Sequence, residues 1–152
     1  MALKKFWAAL LLVPGLIAQT NLLSVDPPQT VSAKRGTSVQ AKLKVVLQPG
    51  YHCNSNTPSE DYLIPLKLTW DKGPLESPVV AYPKAQMEKY EFSDKPISVF
   101  TGNFDLVTTF KVAPNAPVGP TVMLGKLRYQ ACNNKACFPP KTVEVKLPVQ
   151  VQ

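Results

Sequence analysis

The sequence predicts an all-β domain built as an immunoglobulin-like β-sandwich, and three observations carry that prediction. Apolar residues recur at every second position in several runs, the pattern of strands with one dry face. Sixteen prolines among 152 residues, about twice the usual share of roughly 5%, lie between those runs rather than in one block. They punctuate strands. No window carries a convincing amphipathic helix, and about seven short strands at such spacing fit the sandwich.

The elements follow in chain order. "MALKKFWAALLLVPGLIAQT" opens with Lys4 and Lys5 ahead of a short apolar run, Phe6 to Val13, which Pro14-Gly15 interrupts. A membrane-spanning helix needs roughly 20 apolar residues. The stretch 1–20 therefore reads as a secretory signal peptide, with Ala18 a candidate last residue before cleavage, and 21–152 as one domain. The body is expected in an exported, disulfide-permissive compartment, and about 130 residues suffice for one core. No second apolar segment follows, so the mature chain is expected to be soluble.

"TSVQAKLKVVL" (37–47) alternates Val39, Ala41, Leu43 and Val45 against Ser38, Gln40, Lys42 and Lys44. "YLIPLKLTW" (62–70) reads as a further strand, with Pro65 marking an edge or a bulge. "FDLVTTFKV" (104–112), "TVMLGKLRYQAC" (121–132) and "KTVEVKLPVQV" (141–151) complete the set. Turn signals fall at 48–50, 71–74 and 114–117. The formal net charge of +7 drops to +5 once Lys4 and Lys5 are set aside. It is spread as single lysines, with no arginine cluster or aromatic platform. This argues against nucleic-acid binding and for a solvated surface.

The chemistry concentrates in "YQACNNKACFPPKT" (129–142), where Cys132 and Cys137 precede Pro139-Pro140. Three readings stand beside one another. A structural disulfide would close a very small ring and contribute only about 2 kcal/mol. A metal site would have to recruit His52 and Cys53, which are strand neighbours and so face opposite ways. Without that role Cys53 is a small buried hydrophobe and His52 a half-exposed surface residue. No metal is expected. A redox pair would use two thiols on the turn of an apparent hairpin, within a partner's reach. Lys135 between them would favour thiolate, and the two prolines would stiffen the exit. A short, exposed ring is also the kind of disulfide that opens readily.

The motif "YQACNNKACFPP" (129–140) resembles the cysteine motif of the N-terminal periplasmic domain of the thiol:disulfide interchange protein DsbD. "GYHCNSNTPSEDYLIPLKLTW" (50–70) resembles that domain's early strands, and "EFSDKPISVF" (91–100) the segment bearing its cap loop. The resemblance implies an immunoglobulin-like sandwich with no cofactor. Such a domain receives electrons, ultimately from cytoplasmic thioredoxin, through a membrane domain and a thioredoxin-like domain, and passes them to disulfide isomerase-like acceptors. Cys137 would be the thiol that forms mixed disulfides and Cys132 the one that resolves them. Phe92 would be the cap aromatic and Glu91 the acidic residue beside it, with Tyr129 and Lys135 in the surroundings. Tyr90 stands where the family carries a second acidic residue, and Cys53 where an aliphatic residue is usual. The family's membrane segments and thioredoxin-like domain have no counterpart in this sequence. The expectation is a stand-alone, monomeric periplasmic module whose electron donor is a separate polypeptide. The competing class is a secreted binding or assembly sandwich whose disulfide is purely structural.

Overall fold

The computed structural model describes residues 21–152, so the expected signal peptide lies outside the described residues. Twelve strands run in chain order: β1 (Leu23–Val25), β2 (Val31–Ala33), β3 (Ser38–Leu47), β4 (His52–Asn54), β5 (Lys67–Trp70), β6 (Leu75–Ala81), β7 (Gln86–Glu88), β8 (Ile97–Thr101), β9 (Asn103–Val112), β10 (Gly119–Tyr129), β11 (Ala131–Cys132) and β12 (Lys141–Val151). They form three four-stranded sheets, in the orders β1-β3-β9-β6, β2-β12-β10-β5 and β11-β4-β8-β7. The fold is all-β and immunoglobulin-like, as the alternating runs predict.

The first two sheets make the sandwich. Period-two alternation in β3 buries Ala41, Leu43, Val45 and Leu47, while β12 buries Val145, Leu147, Val149 and Val151. Ala41, Phe110 and Val112 from one sheet meet Met123, Leu147 and Val149 from the other in a common core cluster. Removing a Leu side chain from such a cluster costs about 2–5 kcal/mol. Trp70 ties an edge of the second sheet to the first. Its indole N–H donates to Thr108 Oγ1 at 3.1 Å, and its ring meets Phe110 edge-on at 5.2 Å.

The third sheet is built from continuations of the long sandwich strands. β3 leads into β4, β8 into β9, and β10 into β11. Two of these corners need a left-handed backbone, which glycine adopts without the Cβ penalty. Gly50 (φ 84°) lies between β3 and β4, and Gly102 (φ 64°) between β8 and β9. At the third corner Gln130 separates β10 from β11.

Three expectations change. The strand expected over 62–70 begins only at Lys67, because Pro65 lacks a ladder donor and residues 62–66 form turns and irregular chain. β5 is nonetheless an edge strand. The run 121–132 is not one strand but two, which break at Gln130 and join different sheets. Twelve strands form rather than about seven, the extra ones being mostly three-residue pieces with too few positions to show a period.

Candidate functional site

The site lies on the third sheet and is set by register. β11 pairs antiparallel with β4, Ala131 opposite Cys53 and Cys132 opposite His52. β4 pairs with β8, putting His52 opposite Thr101. Cys132 and Cys137 face each other across a single antiparallel bridge and are joined by a disulfide. Directly opposed residues share a face, so Thr101, His52, Cys132 and Cys137 form one row across the sheet. Cys53 and Ala131 face the other way, into the core cluster that holds Leu66, Leu127 and Tyr129.

The disulfide loop is a tight ring held by backbone and side-chain bonds. The Asn133 carboxamide Oδ1 accepts from the N–H groups of Lys135 and Ala136, both at 2.9 Å, and Asn133 N–H donates to Ala136 C=O at 2.9 Å. Phe138 N–H donates to Ala131 C=O at 2.8 Å. Gln130 braces the loop from below. Its Oε1 accepts from Asn54 Nδ2 and Ile64 N–H, both at 3.0 Å, and its Nε2 donates to Phe138 C=O at 3.2 Å. The glutamine of the motif therefore clamps three segments together.

The two cysteines differ in burial. Cys132 is completely buried, whereas Cys137 is half-buried. Both thiols were expected on a turn within a partner's reach; Cys132 is instead enclosed, and Cys137 is the less buried of the two.

A flap formed by residues 89–95 covers the row. Phe92 and Cys137 pack against the same apolar patch of Leu63, Ile97 and Val99. The Tyr90 ring stacks on His52 at 3.8 Å between centroids, and lies parallel to Phe92 at 5.6 Å. Tyr90 donates its hydroxyl to Glu88 Oε2 at 2.6 Å. Glu91 closes the flap onto the disulfide loop: its N–H donates to Asn134 C=O at 3.2 Å, and its Oε1 accepts from Asn134 Nδ2 at 3.1 Å.

His52 is a correction. It is not half-exposed but 2% exposed, because β11 and the stacked Tyr90 enclose it. Burial lowers its pKa to about 4, with the Glu88 carboxylate pulling weakly the other way. The imidazole is therefore neutral at ordinary pH, and its Nε2 has no hydrogen-bond partner. Burial raises the Cys53 thiol to about 12, so it stays protonated and inert. Tyr90 is also pushed up, by burial first and then by its bond to Glu88.

Of the residues singled out in the sequence, Cys132, Cys137, Phe92 and Glu91 come together. Lys135 is exposed at the loop tip and makes no ion pair among the described residues. Tyr129 sits in the sandwich core instead of beside the cap; burial raises its pKa, so the phenol ionises less readily, and its hydroxyl has no partner of good geometry. Sequence reasoning placed Tyr90 at the cap but missed His52, Asn134 and Gln130 as parts of the site. Their signal was only adjacency to residues already singled out. No group of side chains suited to a metal occurs among the described residues.

Together these features define an immunoglobulin-like β-sandwich with a disulfide on an end sheet, one cysteine buried and one half-buried beside an aromatic flap. The chain belongs to the family of the N-terminal domain of the thiol:disulfide interchange protein DsbD, whose family model matches residues 19–148. Among solved structures it is similar to the N-terminal periplasmic domain of ScsB from Proteus mirabilis, with a TM-score of 0.62 and 14% identity. That match covers 86% of this chain and 48% of the other, so the chain spans about half the neighbour's length. At such identity the likeness speaks for the fold. A family 123 glycoside hydrolase from Clostridium perfringens also aligns, at 12% identity over 87% of this chain and 27% of that one. Its TM-score is 0.33. Comparison with curated proteins finds no match.

Proposed function

We propose that this chain is an exported thiol–disulfide exchange module of protein-disulfide reductase type, working through Cys132 and Cys137 without a cofactor. Residues 1–20 direct it to the periplasm, and 21–152 form the working domain. A thioredoxin-like donor or a separate membrane electron transporter reduces the pair, which then reduces a disulfide isomerase-like acceptor. The outer thiolate, Cys137, attacks the partner's disulfide and forms a mixed disulfide. The inner thiol, Cys132, then attacks Cys137 and expels the partner reduced. Phe92 and Glu91 hold the flap closed between encounters, and partner docking lifts it.

The observation that carries this reading is the unequal burial of the two cysteines beside a flap. A permanent staple has no use for cysteines buried to different depths, whereas an exchange pair needs an attacker outside and a resolver inside. Family membership supports the same chemistry.

The test is trapping. Cys132→Ser is expected to accumulate a covalent adduct with a thioredoxin-like partner disulfide on Cys137, whereas Cys137→Ser traps none while keeping the native fold by circular dichroism. Equal trapping by both variants, or by neither, removes the assignment and leaves a structural disulfide in a binding module.

A further inference from the structure

The proposed exchange leaves one proton unaccounted for. When Cys132 resolves a mixed disulfide it must lose its thiol proton, yet it is completely buried and has no direct route to water. Among the described residues, the neighbours that could take the proton are few. Cys53 lies on the opposite face of β4 and stays protonated. Glu88 already accepts from the Tyr90 hydroxyl, and Glu91 is exposed and bonded to Asn134. Asn54 Oδ1 is buried and unpartnered, but a carboxamide is not a base at ordinary pH. Lys135, the remaining charge on the loop, is exposed and cationic.

One acceptor remains. His52 is 2% exposed, is the direct cross-strand partner of Cys132, and has an unpartnered buried Nε2. Directly opposed residues have Cβ atoms roughly 4.5–5.5 Å apart, within reach of an imidazole. Stacking on Tyr90 fixes the ring plane. We propose that His52 is the proton acceptor for Cys132 during resolution of the mixed disulfide. The inference rests on the exchange reading above and adds a residue to it.

The step balances. His52 Nε2 takes the proton from Cys132 Sγ as the sulfur's electron pair attacks Cys137 Sγ. The Cys132–Cys137 bond forms, the bond from Cys137 to the partner sulfur breaks, and the partner leaves with that electron pair as a thiolate. The imidazolium proton then neutralises the thiolate. Two electrons have passed from the module's dithiol to the partner's disulfide. A neutral imidazole is what this requires, and burial keeps His52 neutral down to about pH 4, Glu88 being the acidic group that acts on it from β7.

The experiment uses the reduced protein and His52→Phe, which keeps a flat ring for Tyr90 but has no nitrogen. Glutathione disulfide is the probe, and acid-quenched mass analysis counts the Cys137–glutathione adduct. Adduct formation is expected at the same rate in both proteins. Adduct clearance is expected to be about 10²-fold slower in His52→Phe. In the unsubstituted protein clearance should be flat from about pH 5 to about pH 7, since the acceptor is unprotonated throughout; in the variant it should climb about tenfold per pH unit, following hydroxide. Equal clearance with equal pH slopes overturns the role of His52 while leaving the exchange reading intact. If glutathione disulfide leaves both thiols of the unsubstituted protein reduced and His52→Phe collects no adduct on Cys137, the exchange reading falls and takes this inference with it. Should His52→Phe fail to fold, the profile of the unsubstituted protein decides: a tenfold rise per pH unit from about pH 5 overturns the proposal.

Discussion

His52 links stability to pH in a direction that follows from its burial. The unfolded chain protonates this imidazole near its ordinary value of 6.5, whereas the folded chain resists protonation until about 4. Between those values the unfolded state binds more protons, so its contribution is complete above about pH 6.5 and is lost as pH falls towards 4. At about 1.4 kcal/mol per unit, the fold should lose up to roughly 3 kcal/mol across that window. Urea unfolding at both ends of the window, on the native protein and on His52→Phe, measures it; the same loss in the variant would assign the effect to other groups. The sequence made the cysteines legible because residue type and spacing are local. His52 was not legible as a site residue. Its burial depends on β11 arriving from about eighty positions further along and on Tyr90 closing over it, and nothing local to "GYHCNSN" reports either event.

Among the elements, legibility followed length. β3, β9 and β12 have ten or eleven residues and alternate cleanly, so their bounds were readable to within about a residue. β1, β2, β4 and β7 have three residues each and owe their existence to partners rather than to pattern. The break at Gln130 was hidden because "LRYQAC" keeps a strand-like composition through the corner. What ends β10 there is the Gln130 side chain, engaged with Asn54, Ile64 and Phe138. Gln130→Leu should therefore leave Ile64 N–H and Phe138 C=O without these partners and cost about 2 kcal/mol. It should also loosen the disulfide loop, so that dithiothreitol opens the ring several-fold faster than in the native protein. Unchanged stability together with an unchanged reduction rate would mean that water replaces the amide without loss.

The molecule as a whole divides its labour between a sandwich that supplies the core and an end sheet that presents the chemistry. The end sheet is anchored because β4, β8 and β11 adjoin long sandwich strands, while the flap over it is tied down by two hydrogen bonds between Glu91 and Asn134, one donated by each, and by ring stacking. The flap should open without unfolding the rest. Cys53 reports on the difference. In protein with the disulfide intact, its alkylation should proceed only at the rate of global unfolding, and labelling without denaturant within minutes would show that the end sheet opens separately.

The third thiol also exposes a hazard that the register averts. Cys53 lies one position from His52 on β4, and a slip of one residue between β4 and β11 would set it opposite Cys132. Three sulfurs would then share a face, and disulfide shuffling would have a choice of endings. With Ala131 opposite Cys53 instead, the pleat of the sheet separates the spare sulfur from the bonded pair. A single strand pairing thus serves as insulation between one thiol that must never exchange and two that are joined.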